Sequence, residues 1–133
     1  MGCLRSIQTA NVLFAVEATH RWSSDGIVAN ALMPGGISTN LERHIPRETN
    51  DGWVEMEKAG QITMKATQQG AATTLAAAVA PEFAHTGGHY LEDCNEAETV
   101  ADARMSSGVR EWALDPSAAN RLWDTSVSLL DDV

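Results

Sequence analysis

Residues 27–33 form the pattern that most restricts what this chain can fold into. The run is short, mostly apolar and stops abruptly at Pro34-Gly35-Gly36. An apolar run without polar alternation is typical of a parallel strand that is covered on both faces. Such a strand requires helices on both sides and further strands beside it, so the run predicts an α/β protein.

Segments with helical character precede and follow this run. Residues 9–24 carry an apolar stripe at three- and four-residue steps, which is typical of one helix face. The members of the stripe are Ala10, Leu13, Phe14, Ala18 and Trp22. Residues 62–79 are rich in alanine and are predicted to form a second helix that ends before Pro81. In that helix Gly70 is expected to permit close packing on a neighbouring element.

The rest of the chain predicts one more strand and one more helix. Residues 89–92 are a short strand candidate, and Asp115-Pro116 has the capping residue and first-turn proline of a helix start. Residues 38–61 lack periodicity and are expected to be an irregular, functional or mobile segment. Residues 93–110 are expected to form a polar surface connection. The predicted order is helix, strand, helix, strand, helix. A sheet of two strands is marginal by itself, so neighbouring strands are expected.

The charge balance excludes several classes of function. Eighteen acidic and nine basic side chains give a formal net charge of −9, which argues against binding nucleic acid or an anionic membrane. No apolar run approaches the roughly 20 residues that span a bilayer. Residues 1–8 lack the apolar core of a signal peptide. Cys3 and Cys94 cannot form a disulfide framework, so a cytoplasmic location is expected.

Several short motifs, in a fixed order, resemble the short-chain dehydrogenase/reductase family. The stretches are Thr-Ala-Asn-Val-Leu-Phe at 9–14, Val-Ala-Asn-Ala-Leu-Met-Pro-Gly at 28–35, Gln-Gly-Ala-Ala-Thr at 69–73, Gly-Gly-His-Tyr-Leu-Glu-Asp-Cys at 87–94 and Ala-Ala-Asn-Arg-Leu-Trp at 118–123. Each stretch alone is a weak indication of the family, but the order of the five stretches resembles the C-terminal half of the retinol-dehydrogenase-like branch. The resemblance implies a partial doubly wound, Rossmann-like parallel sheet over residues 9–133, in a family that binds NAD or NADP.

The resemblance also implies a site for cofactor and substrate. In the family pattern, Pro34, Gly35, Ile37 and Thr39 line the nicotinamide side of the cofactor. Trp53 and Met56, with Val54, fall in the variable substrate lid. The alternatives remain open at this point. The Pro-Gly turn can be a strand end with Thr39 capping a helix, and the lid can be a loop that packs its own apolar residues.

The catalytic groups of the family are missing from their expected positions. The family signature is Tyr-x-x-x-Lys just before the Thr-Ala-Asn stretch, and those two positions hold Leu4 and Gln8. Leucine transfers no proton, and glutamine has no charge that could tune one. The glycine-rich phosphate turn of the family is also not present in this sequence. We therefore predict no catalytic residue in this chain and expect it to be inactive alone. The ancestral reaction would be hydride transfer between NAD(P) and a carbonyl or alcohol.

Residues 1–8 do not follow the family pattern, and the genetic code offers an explanation. Synonymous codons exist for these residues that, read one base later, encode Trp-Ala-Ala-Tyr-Gly-Gln-Ser followed by the start of a Lys codon. This contains the family Tyr and Lys at their correct spacing. The hypothesis is that residues 1–8 are read out of frame and that the family sequence begins at Thr9.

A second class of function stays open beside the enzyme interpretation. The chain could be a non-catalytic interaction module that associates with itself or with another protein through an exposed sheet edge or apolar helix. A homo-oligomer would use the helix that contains Leu13, Phe14 and Trp22. Metal binding is not predicted, because Gly87-Gly88 breaks any helix that could place His85 and His89 on one face. The expected partner is a small-molecule substrate.

Overall fold

A computed structural model describes residues 2–37, 39, 43–101 and 107–131 of the chain. Within these ranges the fold is α/β, with four α-helices and a small mixed sheet. The helices are α1 (Gly2–Trp22), α2 (Arg47–Lys58), α3 (Thr67–Val79) and α4 (Pro116–Asp131). Three short 3-10 helices lie at Ser23–Asp25, Pro81–Phe83 and Glu111–Ala113.

The sheet contains β1 (Ala31–Met33), β2 (Tyr90–Glu92) and β3 (Asn95–Glu96), in that order. Strands β1 and β2 are parallel, with Leu32 opposite Leu91. Strands β2 and β3 are antiparallel. The connection from β1 to β2 therefore carries both α2 and α3, which is the crossover that a parallel pair requires.

The turn between β2 and β3 consists of Asp93 and Cys94. Both residues have positive φ, at 48° and 65°. Positive φ at both central residues is the type I′ geometry that matches the twist of a two-residue hairpin. The sequence Asp-Cys lacks the usual glycine, so contacts with neighbouring elements are needed to stabilise the turn.

The α/β class is confirmed, and two elements were missed by the sequence analysis. The segment expected to be irregular, residues 38–61, contains α2. The helix was missed because half of its residues are charged, Gly52 lies near its centre and none of its residues is buried. The polar connection predicted after residue 92 contains β3, whose two exposed polar residues carry no apolar alternation. The observed order is therefore helix, strand, helix, helix, strand, strand, helix.

Other boundaries differ in their extent. The first helix begins at Gly2 rather than at residue 9, and the first strand covers only Ala31–Met33 of the predicted 27–33. Before the strand begins, the backbone of Ala29 forms hydrogen bonds with a side chain of α1. The hydroxyl of Thr19 donates to the carbonyl of Ala29 and accepts from its N–H, both at 2.9 Å. The start of α4 is confirmed, since the Asp115 carboxylate accepts the N–H groups of Ser117 and Ala118.

The core lies between α1, the sheet and the segment before α4. Leu91 at the centre of β2 is fully buried, and Val12 of α1 packs with Val109 and Ala113. Helix α4 packs on α1, where the ring of Trp123 stacks on Phe14 with a centroid separation of 5.6 Å. This packing covers part of the apolar stripe that the sequence analysis identified on α1.

Candidate functional site

The candidate site begins where β1 ends. Met33 is the last strand residue, and Pro34-Gly35-Gly36 turns the chain away from the sheet. Gly35 has φ of 96°, a conformation that other residues rarely adopt. The carboxyl end of a parallel strand is the edge at which α/β proteins bind ligands.

Lys65 holds this turn in place with its side chain and its backbone. Its ammonium group donates to the carbonyl oxygen of Pro34 at 3.2 Å and forms an ion pair with Asp93 in the hairpin turn. Its backbone N–H donates to the carbonyl oxygen of Gly36 at 2.8 Å. Lys65 thus connects the end of β1 to the hairpin turn.

The backbone pairing leaves one donor facing away from Lys65. The carbonyl of Gly36 points toward Lys65, and a trans peptide places the following N–H on the opposite side. The N–H of Ile37 therefore points away from the Ile37–Lys65 bridge.

Helix α3 approaches the same turn through Gly70. A Cβ added to Gly70 would overlap the side chain of Ile37. The close packing predicted for this glycine is therefore confirmed, and Ile37 is its partner. The hydroxyl of Thr73, one turn later, accepts the backbone N–H of Cys94 at 3.3 Å. Thr73 is fully buried, so α3 supports both the loop after β1 and the hairpin turn.

A cleft of about 360 Å³ opens beside the turn. Its walls come from the loop after β1, from α2 and from the segment before α3. The lining residues are Gly36, Ile37, Thr39, Ile45, Trp53, Ile62, Thr63 and Met64. The wall is mainly apolar, with hydroxyl groups from two threonines. An apolar cleft with few polar groups is typical of small-molecule binding sites.

The structure brings part of the predicted site together. Ile37 and Thr39 from the expected cofactor set and Trp53 from the expected lid line the same cleft. Pro34 and Gly35 shape the adjacent turn and do not line the cleft. Met56, three positions after Trp53 on α2, also lies outside the lining and is 40% exposed.

Sequence reasoning missed Lys65 and Asp93. Lys65 is the one charged residue between Lys58 and Glu82, and a lone cation in an apolar and alanine-rich segment was a usable signal. For α2, Glu48 in the first turn and Lys58 in the last turn were further signals, because they complement the helix dipole.

The only tyrosine of the chain lies on β2, away from the cleft lining. Burial, and to a lesser degree the charge of Glu92, raise the pKa of Tyr90 above its ordinary value. The phenol therefore keeps its proton at neutral pH. A proton-transfer role at neutral pH requires a shift in the opposite direction. The fourth residue after Tyr90 is Cys94, so the pair does not form the Tyr-x-x-x-Lys signature.

Membrane-spanning helices and groups of metal ligands are absent from the residues that the structure describes. No helix there is both long and apolar enough to cross a bilayer. No group of three histidine, cysteine, aspartate or glutamate side chains there is arranged to hold a metal ion. His89 instead contacts the carboxylate of Glu96 through Nδ1 at 2.8 Å, across the β2–β3 hairpin.

Comparison with known proteins identifies homologues of this chain. The chain is 43% identical over 125 residues to Short-chain dehydrogenase/reductase prx1 of Penicillium rubens and 30% identical over 131 residues to Retinol dehydrogenase 14 of Homo sapiens. Each match covers 93% of the chain. The chain is homologous to the short-chain dehydrogenase/reductases. A protein of Streptomyces lividans named "Probable oxidoreductase" is 44% identical to it over 128 residues.

The match covers only part of the length of each relative. The aligned region spans 36% of the Penicillium rubens protein, 43% of the Streptomyces lividans protein and 34% of the human protein. No protein-family model matches the chain. No solved structure matches it either.

Proposed function

We propose that this chain is the C-terminal half of a short-chain dehydrogenase/reductase domain, with the family sequence over residues 9–133. In this proposal it supplies the nicotinamide-side loop and part of the substrate wall. One observation supports this proposal most directly. Ile37, Thr39 and Trp53 line a single apolar cleft beside the end of β1. The ancestral reaction is hydride transfer between NAD or NADP and the carbonyl or alcohol of an apolar small molecule.

The residues present fit one end of such a cofactor. Gly35 permits the turn, the N–H of Ile37 points away from Lys65, and Thr39 is one of the residues that line the cleft. Pro34, Gly35, Ile37 and Thr39 would therefore hold the nicotinamide and its carboxamide. The bound cofactor would supply or accept the hydride. Trp53 would present an apolar surface to the substrate, and Met56 would extend this surface only if α2 rotates toward the cleft.

We propose further that the 133-residue chain does not catalyse this reaction alone. The two positions that match the family Tyr and Lys are Leu4 and Gln8, one helical turn apart in α1. Neither side chain ionises, so neither donates a proton to the substrate or lowers the pKa of a neighbour. The out-of-frame origin of residues 1–8 would account for both substitutions. The coding DNA tests this origin, because a Leu4 codon other than CTA or TTA excludes the Tyr codon.

The first experiment measures cofactor binding by the isolated chain. The melting temperature is recorded with and without millimolar NAD and NADP, because binding to the folded state raises it. We expect no change with either nucleotide. A clear rise with one of them would contradict the expectation that the isolated chain does not bind the cofactor and would identify the preferred nucleotide.

The second experiment tests the cleft in a complete domain. Residues 9–133 replace the aligned region of the Streptomyces lividans relative, which is 44% identical. We expect a folded chimera that reduces or oxidises an apolar substrate with NAD(P). Trp53→Ala should then raise KM for that substrate, whereas Val54→Ala, on the same helix but outside the cleft lining, should leave it unchanged. A folded chimera that binds neither nucleotide would contradict the proposed cofactor loop.

Self-association remains the second candidate function, favoured by exposed apolar side chains. A groove of about 350 Å³ lies between α1 and α4, and its wall includes Phe14, Trp123 and Leu130. Phe14 is 53% exposed and Leu130 75% exposed. Light scattering coupled to size exclusion separates the two functions. A defined dimer that Leu130→Glu converts to monomer would favour an interaction module.

A further inference from the structure

Met64 and Lys65 lie between two walls of the cleft. The N–H of Met64 donates to the carboxylate of Glu57 on α2 at 3.3 Å. The next N–H along the chain, that of Lys65, donates to the carbonyl of Gly36 in the loop after β1 at 2.8 Å. Two consecutive backbone donors therefore hold α2 on one side and the loop on the other.

The side chain of Met64 contacts the loop wall as well. A Cβ added to Gly36 would lie 3.1 Å from the sulfur of Met64, so the thioether packs against this glycine. Gly36, Trp53 and Met64 all line the cleft. The size of the Met64 side chain and the attachment of its backbone to α2 therefore both limit the space between the walls.

The position of α2 depends on few contacts. None of its residues is buried, and Trp53 is 36% exposed although it lines the cleft. Glu57 is four positions after Trp53, so the two side chains lie on one face of the helix. The hydrogen bond from Met64 to Glu57 therefore fixes the helix face that carries Trp53. Glu55 instead pairs with Lys58 within α2 itself.

We propose that the contact between Glu57 and Met64 sets the width of this cleft, and that Met64 selects substrates by their width. The inference rests on the proposed function, because it takes the cleft as the substrate site. None of the described side chains that line the cleft is charged. The ligand class is therefore an uncharged alcohol or carbonyl compound, since a charged group would lose its hydration without a partner. Glu57 is a positioning residue that acts through α2.

The test uses the full 133-residue chain and two uncharged probes. The probes are benzyl alcohol and naphthylmethanol, which differ by one fused ring. Both dissociation constants are measured by titration, with the NMR signal of the Trp53 indole as the reporter of binding in the cleft. Loss of this signal in Trp53→Phe assigns it. We expect both alcohols to shift the indole signal of the unaltered chain.

Four variants separate the width of the cleft from other effects. Glu57→Ala removes the acceptor and frees α2, so the affinity for naphthylmethanol relative to benzyl alcohol should rise at least about threefold. Met64→Ala should change the ratio in the same direction, because it shortens the side chain that packs on Gly36. Glu57→Gln keeps an acceptor oxygen and should preserve the original ratio. Glu55→Ala, the matched control on the same helix, should also preserve it.

Amide exchange gives a second readout that needs no ligand. In Glu57→Ala the amide of Met64 should exchange with deuterium about threefold to tenfold faster than in the unaltered chain, because it has lost its acceptor. The neighbouring amide of Lys65 should keep its rate, because its acceptor on Gly36 is unchanged.

Several results would overturn the inference. They are an unchanged affinity ratio in Glu57→Ala or Met64→Ala, unchanged exchange at Met64 in Glu57→Ala, an equal change in Glu55→Ala or Glu57→Gln, and no binding of either alcohol by the unaltered chain. The chimera described above tests the proposed function separately. A folded chimera that binds neither nucleotide, beside the expected change of ratio, refutes only the proposed function. An active chimera beside an unchanged ratio refutes only this inference.

Discussion

The ammonium group of Lys65 and the carboxylate of Asp93 form an ion pair that joins two loops at the same edge of the sheet. Lys65 also donates to the carbonyl of Pro34, so one side chain holds the turn after β1 against the β2–β3 hairpin. The two residues are 28 positions apart, and only the crossover between β1 and β2 brings them together. The loop proposed to hold the nicotinamide therefore depends on a contact with the hairpin.

The first prediction concerns the unequal importance of these two partners. Asp93→Asn should lower the free energy of unfolding by less than about 1 kcal/mol, because Asp93 is mostly exposed and asparagine also tolerates positive φ. Lys65→Met should cost about 1–2 kcal/mol, because it also removes the hydrogen bond to Pro34. Urea denaturation measures both. A larger loss for Asp93→Asn than for Lys65→Met would contradict this description of the pair.

The second prediction concerns the hairpin turn. Cys94→Gly should raise the free energy of unfolding by about 0.5–1 kcal/mol, because Asp-Gly is a preferred type I′ sequence and glycine adopts positive φ without steric cost. Part of the gain is offset by the greater entropy of glycine in the unfolded chain. Cys94→Ala is the control and should give no gain, since it keeps the Cβ and loses the contact of Sγ with Thr73.

The third prediction compares two helical glycines. Gly52→Ala in α2 should stabilise the protein by about 0.5–1 kcal/mol, because a Cβ there meets no atom within 4 Å. Gly70→Ala in α3 should destabilise it by about 1–3 kcal/mol, because its Cβ overlaps Ile37. Thermal or urea unfolding of the two variants gives the comparison.

A double variant checks the cause of the Gly70 effect. Ile37→Ala removes the side chain that the new Cβ would meet, so Gly70→Ala should cost less in that background. The difference between the two costs is the coupling energy of residues in contact. Strictly additive effects would show that Ile37 is not the cause.

The fourth prediction concerns Tyr90, the single tyrosine of the chain. Its pKa is raised by burial and by Glu92, so phenolate absorbance at 295 nm should develop at higher pH in the folded protein than in urea. The unfolded chain loses this proton first, near its ordinary pKa of about 10. The contribution of Tyr90 to stability is therefore complete below that pH and declines as the pH rises through the folded pKa.

Glu92→Gln provides the comparison for this titration. Removing the charge should lower the pKa of Tyr90, but only part of the way, because burial is the larger cause. Glu92 also accepts the N–H of Gly108 at 2.8 Å, and the glutamine carbonyl can still do so. An unchanged titration in this variant would exclude the contribution of Glu92.

The fifth prediction concerns the ion pair between α1 residues Glu17 and Arg21. The Glu17 side chain is 3% exposed, and Nε of Arg21 donates to it at 2.7 Å. Arg21→Met should lower the free energy of unfolding by about 3 kcal/mol, because it leaves a buried carboxylate without its partner. The double variant Glu17→Leu/Arg21→Met should recover most of this loss. Urea denaturation at neutral pH tests both. An equal loss in the double variant would assign the effect to the other contacts of Arg21, which are made with Asn120, Trp123 and Asp124 of α4.

Local sequence patterns were sufficient for several parts of the fold. The Asp115-Pro116 start of α4, the end of α3 before Pro81 and the close approach at Gly70 were all predicted correctly. Each depends on residues adjacent in sequence or on the size of one side chain. Strand β3 was missed because its two residues are polar and exposed. Helix α2 was missed because half of its residues are charged and none is buried.

The sequence by itself determined the α/β class, because an apolar run that ends at Pro-Gly-Gly fits a covered parallel strand. It also indicated the homology to short-chain dehydrogenase/reductases, because the fixed order of several short motifs can be read directly from the sequence. Only the tertiary structure placed Ile37, Thr39 and Trp53 around one cleft and paired Lys65 with Asp93. It also placed β1 at the edge of the sheet formed by the described residues. These relationships arise from the crossover between parallel strands, which joins residues far apart in the chain, and no local pattern of side chains encodes such distances.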